Sequence, residues 1–241
     1  SSRSYEFTSQ LKEEIQRPVD FINFIGGQVR INDELVKDVW IEREPLKKVL
    51  KEVAENYDIL SYMIATNDRL IMSNTKGIGR LFKLFYEFWY SLQGKYREKY
   101  VIDNEIFNKQ IEEELTYLVR IVFGLKKKNS IIAKELNKTL REKYPDIEFS
   151  WTDIIIEMSP KGCTKSEALN FYVEKTGFSK DDVYVVGDSG NDITMFQEYF
   201  ENSYCMAHSY SSVKKYAKHI VSRVHNLAEL VLEGDKNEPN I

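Results

Sequence analysis

The chain has 241 residues, 42% of them hydrophobic, which suffices for one large domain or two modest ones. Its net charge is −4 and its charged residues, 30% of the total, intersperse both signs, which excludes the basic face of a nucleic-acid binder. Two cysteines, Cys163 and Cys205, make neither a disulfide framework nor a metal quartet and point to a reducing, cytoplasmic setting. The opening SSRSYEFTSQLKEE has no apolar signal region, and stretches such as FINFIGG and TDIIIEM are too short to span a bilayer, so no membrane partner is expected.

Taken in chain order, residues 4–16 predict a helix, with Tyr5, Leu11 and Ile15 among its apolar positions and Arg17-Pro18 as its stop. VDFINFIGG (19–27) predicts a buried strand that ends in a glycine turn. From about residue 38 to 152 a helix–strand rhythm follows. Pro45 sits in the first turn of a helix whose Leu46, Val49, Leu50 and Val53 share one face. ILSYMIAT predicts a strand, RLIMSN a partner for it, and GIGRLFKLFYEFWYSL an aromatic helix. A further strand is expected over Thr116–Phe123, an amphipathic helix over SIIAKELNKTLREKY up to Pro145, and β structure in IEFSWTDIIIEM. This set implies a small open sheet covered by helices on one face, an α+β arrangement.

The last third alternates more regularly. A helix over 164–176 leads to strand VYVV, helix DITMFQEYF, strand SYCMA, helix SSVKKYA, strand HIVS and a final turn NLAELVLE. Strands and helices of this length in alternation predict a doubly wound parallel sheet, so the fold class is α/β with an α+β insertion. The tail GDKNEPNI is polar.

The densest chemistry lies in VYVVGDSGND (183–192). Gly187 allows a sharp exit from a buried strand, and Asp188 then stands at its carboxyl end, the edge where open α/β sheets bind ligands. Asn191 and Asp192 stand just before a helix, where short polar side chains cap free N–H groups. Two carboxylates and an amide at one turn suit Mg²⁺, which takes one or two protein carboxylates and keeps waters and phosphate oxygens. Read alone, the same residues also describe a strand-to-helix turn with an Asx cap and no ligand. In SPKGCTKSEAL (159–169), Thr164 and Glu167 form a capping box that makes Lys165 the first helical residue. A lysine opposes the dipole there but suits a bound phosphate.

Together these features resemble the third and fourth motifs of the haloacid-dehalogenase-like phosphatases, closest to the Cof-type subfamily with its type C2 α/β cap. Lys161-Gly162-Cys163-Thr164-Lys165 fits that subfamily's K-G-x-x-K, and Gly187-Asp188-Ser189-Gly190-Asn191-Asp192 its G-D-x-x-N-D. Ser1-Ser2-Arg3 resembles its second motif with serine in place of glycine. VDFINFIGGQV looks like the following strand and Asn-Gly-Ala turn, from which Gly26-Gly27 departs. Where the family shows a Met-Gly-Asn-Ala-like turn, this chain has Met206-Ala207-His208-Ser209.

The resemblance implies a core domain of residues 1–37 and 153–241 and a cap domain of 38–152. It implies Mg²⁺ on Asp188, with Asp192 in support. Lys165 would neutralise the phosphoryl group and orient the nucleophile. Ser1, Ser2 and Asn191 would contact phosphate. The substrate would be a small phosphorylated metabolite such as a sugar phosphate. The family's nucleophile lies in an Asp-x-Asp motif upstream of the second motif, and the 241 residues contain no Asp-x-Asp. The expectation is therefore an incomplete core that lacks its first strands, inactive alone, with the strand at 19–25 and that at 183–186 separated by a gap of about two strands, roughly 10 Å. A non-catalytic remnant and a phosphomutase are the competing readings. Oligomeric state is not legible.

Overall fold

The computed structural model describes residues 1–15, 17–73, 84, 88, 99–124 and 126–227. The chain divides into two compact units, Ser1–Ala168 and Leu169–Ile241.

The first unit opens with two short helices, α1 (Tyr5–Ser9) and α2 (Lys12–Ile15), in place of the single helix expected over 4–16. Ser4 caps α1 by accepting a hydrogen bond from Phe7 N. At the break the side chains of Ser9 and Gln10 both donate to the Glu6 carbonyl, at 3.2 and 2.9 Å. Strand β1 (Phe21–Asn23) is shorter than the 19–27 read from sequence. It ends at Phe24, Ile25 and Gly26, whose φ angles of 50°, 58° and 105° lie in the left-handed region. The chain turns back into β2 (Gln28–Ile31) and β3 (Glu34–Asp38), which complete an antiparallel meander ordered β1-β2-β3. Asn32 and Asp33, at φ 49° and 68°, make the hairpin turn between β2 and β3.

Next come α3 (Arg43–Asn56), β4 (Ile59–Ala65), β5 (Leu70–Met72), β6 (Tyr100–Ile102), α4 (Asn104–Glu113), β7 (Leu118–Phe123), α5 (Lys127–Lys143), β8 (Ile147–Thr152) and β9 (Ile155–Pro160). The strands form a six-stranded sheet in the order β6-β5-β4-β7-β9-β8. One core cluster joins Leu46, Val49 and Val53 of α3, Phe107 and Ile111 of α4, and Ala133, Leu136 and Leu140 of α5 to one face of this sheet. Each such fully buried aliphatic side chain contributes roughly 1.5–3 kcal/mol. The period-two alternation of β7 sends Val119, Ile121 and Phe123 into that cluster. Leu118 joins a second cluster with Phe24, Ile25, Ala65, Leu70 and Tyr117, in which the Phe24 ring stacks on Tyr117 at 4.9 Å. The aromatic helix expected over 77–92 lies outside the described residues, except for the exposed Leu84 and Phe88.

Helix α6 (Lys165–Thr176) starts at the expected residue and runs across the division between the units. The second unit contains β10 (Val185–Gly187), α7 (Ile193–Glu198), β11 (Ser203–Met206), α8 (Ser211–Lys214) and β12 (His219–Val221). β10, β11 and β12 are parallel and adjacent, so the parallel α/β sheet read from the last third is present, with β10 shifted toward Gly187. Its core gathers Val185, Phe196, Tyr199, Cys205 and Val213. The meander strand β1 and the parallel strand β10 belong to different sheets. The helical turn expected at 226–233 falls mostly beyond the described residues. Among the described residues no helix is long and apolar enough to cross a membrane.

Candidate functional site

The turn after β10 is organised by one buried carboxylate. Asp192 is 2% exposed, and its Oδ2 accepts hydrogen bonds from Asp188 N at 3.0 Å, Ser189 N at 2.9 Å and Ser189 Oγ at 3.2 Å. Ser189 and Asp192 thus form a capping box at the start of the helical segment. The sequence reading had Asn191 and Asp192 capping the helix that follows. Asp192 instead reaches backward to the strand end, and α7 receives no side-chain cap from it. Asn191 Oδ1 accepts from Ser189 Oγ at 2.9 Å, which places the amide in the same turn. Gly187 makes this geometry possible, because a Cβ there would lie 2.3 Å from Asp192 Cγ.

With its backbone held by Asp192, Asp188 presents an exposed carboxylate at the carboxyl end of a parallel strand. His208 Nε2 lies 3.5 Å from Asp188 Oδ2. This histidine was not singled out in the sequence beyond its departure from the Met-Gly-Asn-Ala pattern. No group of three or more His, Cys, Asp or Glu able to hold a metal occurs among the described residues. A single exposed carboxylate beside a buried one is nonetheless within what Mg²⁺ asks of a protein, since it retains waters and substrate oxygens.

In the first unit, Ser1, Ser2 and Arg3 run beside β1 and are held by main-chain hydrogen bonds. Ser1 N donates to Ile22 O at 2.7 Å, Ile25 N to Ser1 O at 2.9 Å, and Phe24 N to Arg3 O at 3.3 Å. Ser1 Oγ accepts from Arg3 N at 3.1 Å, and Ser2 O accepts from Arg120 Nη2 at 3.2 Å. The same turn meets the start of α6. A Cβ on Gly26 would lie 2.6 Å from Ala168 Cβ and 3.1 Å from Thr164 O. Thr164 Oγ1 accepts from Glu167 N at 3.2 Å, the capping contact expected from sequence, and sets Lys165 at the first helical position. The turn at Ile25-Gly26 thus touches both the Ser1 segment and the Lys165 segment.

Two features here were missed by the sequence reading. Arg120 and Glu157 form a buried ion pair, Nε to Oε1 at 2.9 Å, between directly opposed positions of β7 and β9. Nothing local marks two residues that distant in sequence as partners. The other is the burial of Cys163, which the sequence names without placing: two residues before Lys165 it is 1% exposed, and its thiol pKa is raised chiefly by that burial.

A family model for haloacid dehalogenase-like hydrolases matches residues 1–228. The chain belongs to this family. One relative, the 5-amino-6-(5-phospho-D-ribitylamino)uracil phosphatase YcsE of Bacillus subtilis (strain 168), is 28% identical over 156 residues, covering 61% of this chain and 61% of that protein. Among solved structures, SMU.1108c from Streptococcus mutans UA159 superposes with a TM-score of 0.74 at 17% identity, covering 97% of this chain and 84% of that one. The sugar phosphatase BT4131, of HAD subclass IIB, gives a TM-score of 0.68 at 16% identity, covering 94% and 79%. At such identities the structural likeness speaks for the haloacid-dehalogenase-like fold.

Proposed function

We propose that this hydrolase is a Mg²⁺-dependent phosphomonoesterase acting on a small phosphorylated metabolite such as a sugar phosphate. The observation that carries the proposal is the β10 turn, in which a buried Asp192 braces an exposed Asp188 at the carboxyl end of a parallel strand. The names of two similar proteins, a phosphatase and a sugar phosphatase, support the choice of reaction.

Asp188 would hold the cation, with Asp192 fixing its backbone. Mg²⁺, when bound, supplies charge neutralisation on the phosphoryl oxygens. Lys165, at the positive end of α6, neutralises a further oxygen and orients the attacking group. Asn191 and the hydroxyls of Ser1 and Ser2 position the phosphoryl group by hydrogen bonding. Positioning and charge stabilisation supply most of the catalysis in phosphoryl transfer. Residues 1–37 and 153–241 would form the catalytic core, and 38–152 the cap that selects the substrate.

The covalent step needs an aspartate that attacks phosphorus, forms an aspartyl-phosphate and expels the alcohol; water then releases phosphate. No Asp-x-Asp occurs in the 241 residues, so in this reading the nucleophile is not among them. The test is an assay of Mg²⁺-dependent phosphate release from a panel of sugar phosphates. The 241 residues alone should be inactive, and the chain fused to a strand that bears an Asp-x-Asp motif should be active. Activity that persists in Lys165→Ala and Asp188→Ala would refute the residue assignment.

A further inference from the structure

Arg120 of β7 and Glu157 of β9 stand directly opposite each other. Their neighbours Val119, Ile121, Ile156 and Met158 enter the core shared with α3, α4 and α5. Alternation therefore turns Arg120 and Glu157 to the other face of the six-stranded sheet. The pair is buried, with side chains 10% and 7% exposed and Nε 2.9 Å from Oε1. A second nitrogen of the same guanidinium acts elsewhere: Arg120 Nη2 donates to the Ser2 carbonyl at 3.2 Å. That carbonyl belongs to the Ser2–Arg3 peptide, whose N–H donates to Ser1 Oγ at 3.1 Å. One rigid peptide plane is thus gripped at both ends, by the guanidinium at its oxygen and by the Ser1 hydroxyl at its nitrogen. The residues on either side of Ser2 are tied to the β1 turn instead: Ile25 N donates to Ser1 O at 2.9 Å, and Asn23 Nδ2 to Arg3 O at 3.0 Å.

We infer that Arg120, aimed by Glu157, is a positioning residue for phosphate binding: it sets the Ser2–Arg3 peptide and, through that peptide, the Ser1 hydroxyl. The inference rests on the reading of Ser1, Ser2 and Lys165 as phosphate contacts and names what holds the first of them in place. Arg120 contributes direction rather than charge, because Glu157 offsets its charge. A planar guanidinium donates along two fixed directions at once, which an ammonium on a flexible stem does not reproduce. A buried ion pair that served only as a brace could give way to an apolar pair of similar volume with little loss of stability or function. A positioning pair could keep its stability after that exchange but not its function, since no apolar side chain orients the Ser2 carbonyl.

The probe is inorganic phosphate, titrated into the 241-residue chain and followed on the Arg3 and Ile25 amide signals by nuclear magnetic resonance. Urea unfolding reports the stability of each variant. Arg120→Met with Glu157→Leu exchanges the ion pair for apolar side chains. Arg120→Lys keeps the buried charge pair and loses the second directed donor. Both should weaken phosphate binding at least about fivefold, the effect of about one hydrogen bond, even where stability matches the parent. Lys165→Ala should weaken it as well. Phosphate affinity within about twofold of the parent in either folded variant, with the Lys165→Ala loss intact, would overturn the inference and leave the phosphate reading standing. If phosphate gives no saturable shift, or one that Lys165→Ala leaves unchanged, both fall.

Discussion

The Cα of Gly187 lies against the carboxylate of Asp192, so that a Cβ there would meet Asp192 Cγ at 2.3 Å and Oδ2 at 2.6 Å. The carboxylate crosses the strand end because it accepts from Asp188 N and Ser189 N. Gly187→Ala therefore forces the turn open and should destabilise the protein by about 1–3 kcal/mol. Asp192→Ala removes the acceptor and leaves the donors unsatisfied, at a cost of about 2 kcal/mol or more. Urea unfolding curves measure both. Stabilities within about 0.5 kcal/mol of the parent would show that the turn is not held in this way.

A second close approach joins the N-terminal meander to helix α6. Gly26, at φ 105°, would place a Cβ 2.6 Å from Ala168 Cβ. Gly26→Ala suffers both backbone strain and the clash, and thermal melting should show a loss of about 2 kcal/mol or more. Adding Ala168→Gly removes the contact with Ala168 Cβ but leaves that with Thr164 O at 3.1 Å and the backbone strain, so the double variant should recover only in part. Full recovery would mean that the φ angle carries no cost.

How far the sequence disclosed these features depends on distance along the chain. The Leu46-Val49-Val53 face of α3 and the Thr164–Glu167 cap of α6 are local patterns, and both were legible. The β2–β3 hairpin was missed although Asn32-Asp33 carries its turn signal, because the glycine pair just before it drew the strand end to residue 27. The left-handed Phe24 and Ile25 run against local preference, since bulky and β-branched residues avoid that region; burial against Tyr117 and Leu118 holds them there. At the site, Asp188 and Lys165 were named from motif spacing. The backward reach of Asp192 and the proximity of His208 depend on side-chain direction and strand register, which spacing does not encode.

The Arg120–Glu157 pair depends on such long-range register too. Arg120 also donates to Ser2 O, tying the first residues to the six-stranded sheet. Arg120→Met leaves Glu157 buried without this partner and should cost about 3–5 kcal/mol; Arg120→Met with Glu157→Leu should restore most of it. Denaturant midpoints of the two variants decide the matter. A double variant no more stable than the single one would show that the pair's charge is not what holds the region.

Cys163 and Cys205 are both buried. Ellman's reagent at pH 8 should therefore modify neither thiol in the native chain and both after denaturation. The raised pKa of Cys163 also fixes a sign. The folded state retains the thiol proton longer than the unfolded state, so the stability tied to this group is present below the unfolded pKa and is lost as pH rises through the folded one. Cys163→Ala should flatten the alkaline limb of the stability–pH profile, and an unchanged limb would assign that limb to other groups.

The central proposal is that Lys165 and Asp188 serve a Mg²⁺-dependent phosphatase whose Asp-x-Asp nucleophile is not among these 241 residues. Its most direct test is Mg²⁺-dependent phosphate release by the 241-residue chain beside the same chain fused to a strand that bears an Asp-x-Asp motif. The account predicts background rates for the former, and for the latter turnover that falls by about a thousandfold or more in Lys165→Ala and in Asp188→Ala. Turnover by the 241-residue chain alone, lost in Asp188→Ala, would contradict it.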